Sequence, residues 1–119
     1  MPIMTVTTLA GKSLAEKGKL AKDLTDCVQT LMQRPREIIR VIFQEIPEGS
    51  YAVAGEFLDP AVQDDTILRI SFMTGRTPEQ KKEIIQRLVQ VLLDNPAFSR
   101  DAIRVIIEET PGENFYRSK

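Results

Sequence analysis

Residues 11–24 read GKSLAEKGKLAKDL, and residues 75–88 read GRTPEQKKEIIQRL. Laying Gly11 on Gly75 sets an offset of 64 residues, and the same offset lays IIRVIFQEIPEGSY (38–51) on AIRVIIEETPGENF (102–115). Lys12 then falls on Arg76, Arg40 on Arg104, Glu45 on Glu109, Pro47 on Pro111 and Tyr51 on Phe115. One register held over both blocks is an internal duplication, so each copy is expected to be one supersecondary unit.

Each copy reads β-α-β. Residues 3–9 and 67–73 are rich in Ile, Val, Thr, Leu and Phe, which suits strands. Ser13 with Glu16 forms a capping box, and Thr77-Pro78-Glu79-Gln80 forms a second with proline at the first helical position. Helical spacing follows in Leu14, Leu20, Leu24, Cys27, Val28 and Leu31, and again in Ile84, Ile85, Leu88, Val91 and Leu92. Pro35 and Pro96 stop the helices, and strands are expected at 38–46 and 102–109. The expected fold class is therefore α/β (α+β). One domain of 119 residues holds two tandem β-α-β units, 1–56 and 66–119, joined by a linker at 57–65. Its four strands form one sheet with both helices on one face. Asp64 and Asp65 in the linker read as solvated charge rather than a metal site. The other sheet face, with Ile38, Ile42, Ile103 or their neighbours, looks too apolar for water, so a second subunit is expected to cover it.

Composition excludes several classes. Apolar residues make up 42% and charged residues 28%, as in a soluble globular protein. A net charge of −1 leaves no electrostatic footprint for nucleic acid or an acidic membrane. There is no histidine, so neither a Ser-His-Asp nor a Cys-His arrangement is available, nor a usual zinc site. Cys27 is the only cysteine and lies on the apolar helix stripe, where it reads as core. No metal or other cofactor is expected. With no signal-like N-terminus and no membrane-spanning run, a cytoplasmic location is the expectation.

Some residues fit structure less easily. Pro2 opens a strand, where a missing N–H costs nothing. Removal of Met1 would also make its nitrogen a free secondary amine, a group whose pKa desolvation or nearby cations bring towards neutrality. Arg40 and Arg104 interrupt apolar strands at the same repeat position. Each reads either as an edge or interface ion pair or as a bidentate clamp for a carboxylate. Arg76 and Lys12 sit in strand-to-helix turns beside helix N-termini, where anions are favoured.

The Met-Pro start, the Gly-[Lys/Arg]-[Ser/Thr] turn entering a helix, Arg-Val-Ile in the next strand and the Gly-Ser-Tyr-Ala-Val-Ala-Gly-Glu ending carry a resemblance. Together, in this order and spacing, they resemble the tautomerase superfamily, in its 4-oxalocrotonate tautomerase branch, with two such units fused. The resemblance implies that Pro2 is the general base, moving a proton between the oxygen and a carbon of a dienol. It implies that the turn arginine of the partner unit binds a carboxylate and polarises the carbonyl. The strand arginine of an adjacent pair would hold the other end of a diacid, and the closing aromatic would form an apolar wall.

Carried over residue by residue, the resemblance is asymmetric. The counterpart of Pro2 is the internal residue Thr66, which has no free amine. Arg76 and Phe115 would then serve Pro2, whereas Lys12 and Tyr51 would flank the defunct position, Lys12 as a surface lysine. Arg40 or Arg104 of a neighbouring chain would complete the site. The expected substrate is a small anionic 2-hydroxy or 2-oxo acid, and the expected assembly is a homotrimer of six units. A hydratase or dehalogenase of this superfamily would carry a carboxylate two residues beyond the aromatic, where this chain has Arg117, and an extra turn arginine where it has Met73. A phenylpyruvate-type tautomerase has a similar length, but its characteristic turn residues are absent here; a non-catalytic oligomeric binding module that keeps only the fold is the alternative from another class.

Overall fold

The computed structural model describes residues 1–118. The chain runs β1 (Ile3–Leu9), α1 (Leu14–Met32), β2 (Arg40–Ile46), a small hairpin of β3 (Ala52–Val53) and β4 (Glu56–Phe57), β5 (Asp65–Met73), α2 (Pro78–Leu93) and β6 (Ala102–Thr110). The four long strands form one sheet in the order β2-β1-β5-β6. The outer pairs are parallel and the central pair, β1 with β5, is antiparallel.

The duplication is visible in detail. Ser13 and Thr77 both cap their helices at φ −73° and ψ 160°, and both capping boxes are closed. Lys17 pairs with Glu45 at 2.9 Å, and their counterparts Lys81 and Glu109 pair at 3.0 Å. Gly11 and Gly75 stand at φ 117° and 124°, a region that side chains avoid, so both turns into a helix need glycine. In the central pair Thr5 lies opposite Arg69, its own counterpart at the offset of 64. The two units are therefore related by a pseudo-twofold axis passing between these residues, like an isologous dimer made covalent.

Both helices lie on one sheet face. Met4, Val6, Leu68, Ile70 and Phe72 pack there against Leu20, Leu24, Val28, Met32, Ile84, Leu88 and Leu92 in one core. Cys27 and Leu31 are half-buried at its edge. Leu14, placed on the apolar stripe by its spacing, is 84% exposed, because the first helical turn overhangs the sheet.

Three expectations are corrected. Ile103 packs against the core with Val105 and Ile107, and Ile38 lies in a 3-10 turn at Arg36–Ile38 before β2 begins. The open face instead carries Ile42 and Ile106, 49% and 38% exposed, beside an Arg69–Glu108 ion pair. It is thus a mixed surface rather than a purely apolar one. Second, β5 starts at Asp65, inside the expected linker, and β4 crosses the expected boundary after residue 56. Third, Asp64 and Asp65 are buried rather than solvated, since each has a cation and hydrogen bonds that offset its desolvation. Among the described residues, no helix is long and apolar enough to cross a membrane.

Candidate active site

The register of the sheet brings the two units together at each end of the β1–β5 pair. Ile3 lies opposite Ser71, so the start of β1 meets the end of β5 and the turn at Gly75-Arg76. Parallel pairing of Met73 with Thr110 carries the chain after β6 towards the same place. The result is a cleft of about 520 Å³ lined by Met1, Arg34, Phe72, Arg76, Phe115 and Arg117, among others. Pro2 is buried immediately behind Met1. Met1, Phe115 and Arg117 also line a smaller adjoining cleft of about 130 Å³ that contains Arg40.

Charge distinguishes this cleft. Among the described residues, no acidic side chain lines it. Among the described residues none of Arg34, Arg76 and Arg117 forms an ion pair, whereas nearby Arg36 is held by Asp26 at 2.6 Å and Gln29 at 2.9 Å. Arg76 lies over the ring of Phe72, 5.8 Å from its centre, a contact that props the guanidinium without neutralising it. The terminal amine, on Met1 in the chain as it stands, has its pKa lowered by burial first and then by Arg117, Arg34 and Arg40. Each of these disfavours the ammonium form. The expected cation Arg76 is not among them.

Residues 2–59 and 67–118 match the family described as tautomerase enzyme. This chain belongs to the tautomerase family. A probable tautomerase of Streptococcus pyogenes serotype M3 is 36% identical over 56 residues, which are 47% of this chain and 92% of that protein. A solved structure of a protein inactivated by 2-oxo-3-pentynoate has a TM-score of 0.85 at 25% identity, over 98% of this chain and 91% of the other. A fused 4-OT solved as a symmetric trimer has a TM-score of 0.79 at 26% identity, over 98% and 92%.

The opposite end of the β1–β5 pair in this tautomerase-family chain is the pseudo-symmetric counterpart, a smaller cleft of about 220 Å³ whose turn cation is already paired. Lys12 is not the surface lysine expected from its turn. Its Nζ lies 3.2 Å from the Asp64 carboxylate, with the two side chains only 11% and 5% exposed. The same ammonium donates to the carbonyl of Leu9 and sits 5.6 Å from the centre of the Phe98 ring. Asp64 also accepts from Thr8 Oγ1 and from the backbone N–H of Asp65. Thr66, the counterpart of Pro2, is buried with its hydroxyl 3.4 Å from that of Thr8. Phe98 is buried against Phe43. The tautomerase fold thus shows, within one chain, what its turn cation does when given a carboxylate.

The remaining candidate residues divide in the same way. Phe115 lines the Met1 cleft, whereas Tyr51 lies at the other end, its hydroxyl pKa raised by burial and by the Asp65 carboxylate. Arg104 donates to Asp65 at 3.1 Å and is thereby engaged, while Arg40 bonds only the carbonyl of Glu37. The thiol of Cys27 is pushed up by burial, as its place on the helix stripe implies. Arg34 is the residue that spacing alone did not single out. It follows Gln33, a left-handed helix C-cap at φ 52° that is not glycine, so the backbone is held there at some cost. Arg117 stood out in the sequence only as a departure from a carboxylate, yet it opens into the cleft.

Proposed function

We infer that, with Met1 removed, this chain is a tautomerase in which the secondary amine of Pro2 is the general base. The substrate is an unsaturated dicarboxylate such as 2-hydroxymuconate, interconverted between its dienol and conjugated-ketone forms. One observation carries the reading: among the described residues, the chain start enters a cleft with three unpaired guanidiniums and no acid. Such a field binds an anion and keeps an adjacent amine neutral. The neutral nitrogen takes the proton of the enol hydroxyl, the electron pair moves along the conjugated chain to form the ketone, and the same proton returns to a carbon. No atom is gained or lost, and no cofactor enters.

Arg76 holds a carboxylate, as Lys12 pairs with that of Asp64 at the opposite end, and polarises the oxygen beside it. Phe115 gives the apolar wall. Of the two strand arginines Arg40 is the one with no carboxylate partner, and it lies beside Met1. The mixed open sheet face with Ile42 and Ile106 is the surface through which three chains assemble, as a fused 4-OT relative does.

The test combines intact mass with turnover. Protein lacking Met1 should convert 2-hydroxymuconate, and protein keeping Met1 or an N-terminal extension should not, because an acylated proline nitrogen is no base. 2-Oxo-3-pentynoate should add once per chain: the Pro2 nitrogen bonds to the alkyne carbon distal to the ketone, its proton passes to the neighbouring carbon, and the whole reagent mass is retained. A label mapped elsewhere, or turnover that survives the extension, would overturn the reading.

A further inference from the structure

Three arginines face one cleft, and one carboxylate needs only one of them. The opposite end makes the comparison within the same molecule. There both cations of the cleft are already engaged, Lys12 by Asp64 and Arg100 by Asp101. At the open end Arg76 takes the place of Lys12, and Arg34 and Arg117 are additional. Like charges gathered without counter-ions repel one another, and Arg34 is turned into place by a left-handed residue, Gln33. Both features persist at a cost that an anionic ligand offsets.

We propose that Arg34 and Arg117 form a second carboxylate-binding pole in this cleft, so that a single chain holds both ends of a dicarboxylate. This rests on the proline-base reading and adds the residues that set substrate choice. Arg34 comes from the first unit, at the end of α1, while Arg76 and Arg117 come from the second unit. The antiparallel β1–β5 pair brings α1's end and α2's start to one end of the molecule, so the fusion itself builds the diacid site. Arg104 is already occupied by Asp65, and the second pole does not require it. A monocarboxylate leaves Arg34 and Arg117 unmatched; a second carboxylate pairs with them.

The experiment compares 2-hydroxymuconate with the monoacid 2-hydroxy-2,4-pentadienoate on the full chain lacking Met1. Arg34→Gln should lower kcat/KM for the diacid by about 30-fold or more, the effect of losing a desolvated charge pair. At a pH high enough for the amine to be neutral with or without Arg34, the monoacid should lose far less than the diacid, since it does not use this pole. Arg117→Gln should act in the same direction. Equal losses for both substrates, or no loss for the diacid, overturn the proposal. Calorimetric titration with adipate and hexanoate needs no turnover and separates the two readings. Adipate should bind more tightly than hexanoate, and Arg34→Gln should remove that preference. If neither dienol is converted, the proline-base reading fails while the adipate titration still decides the role of Arg34. An adipate preference that survives both substitutions refutes the second pole.

Discussion

Replacing Lys12 with methionine should destabilise the protein without touching the open cleft. The substitution keeps the length of the side chain but removes the cation that lies 3.2 Å from a carboxylate only 5% exposed. Breaking a buried pair by removing one partner costs about 3–5 kcal/mol, because a charge is left without compensation. Asp64 keeps the bonds from Thr8 and from the Asp65 N–H, so a loss of about 2–3 kcal/mol is expected here. For a domain of this size that lowers Tm by about 8–12 °C, at about 4 °C per kcal/mol. Melts should be compared at one protein concentration, since assembly contributes to apparent stability. Arg76→Met is the matched control: it has no ion pair to lose, and its contact with Phe72 is worth about 1 kcal/mol. It should instead reduce turnover of a dicarboxylate by about 2–5 kcal/mol of transition-state binding. Adding Asp64→Asn to Lys12→Met should recover most of the stability, because the neutral amide no longer needs a cation. If Lys12→Met melts within about 2 °C of the parent, or the double variant is worse than the single one, the buried pair is not what stabilises this end.

The other predictions concern charge, backbone and assembly. In protein lacking Met1, kcat/KM should fall as pH drops through the Pro2 amine pKa, which the arginines that lower the Met1 amine, one residue away, would also hold down; a profile flat from pH 8 down to about 5 would exclude an amine base. Arg117→Gln, which removes one of the cations acting on the Met1 amine, should move that acid limb to higher pH, and an unmoved limb would show that Arg117 does not act on the Pro2 amine. Gly75→Ala places a side chain at φ 124°, so stability should fall by about 1–2 kcal/mol, with turnover falling as Arg76 shifts; unaltered melting would mean that the turn tolerates a side chain. Light scattering should report three chains per particle, and Ile42→Arg with Ile106→Arg should dissociate them; an intact particle would move the interface elsewhere.

Local rules were enough for much of this fold. The duplication, both capping boxes, the helix ends before Pro35 and Pro96 and the core positions Leu24 and Leu88 depend on neighbours a few residues away. Hydrogen bonding at helix ends and the 3.6-residue period write such features directly into the chain. The sequence also carried Pro2, Arg76 and Phe115 as candidates, because the offset of 64 exposes where the two copies differ. What it left open depends on register and direction. The antiparallel pairing of β1 with β5, with Thr5 opposite Arg69, sets the turn of one unit beside the terminus of the other. It also buries Asp64 beside Lys12, where the composition of the linker pointed to solvent. A one-residue difference in strand phase turned Ile103 inward and left Ile106 outside, since alternate side chains face opposite sides of a sheet. Arg34 is the clearest case. It is one arginine among several after a helix until tertiary packing sets the end of α1 beside the start of α2, and only then does its unpaired charge join a site. The sequence alone determined the elements and their duplication, because those rest on short-range contacts; the tertiary structure decided at which end the turn cation is paired and at which it is free, because that depends on charges brought together from distant parts of the chain.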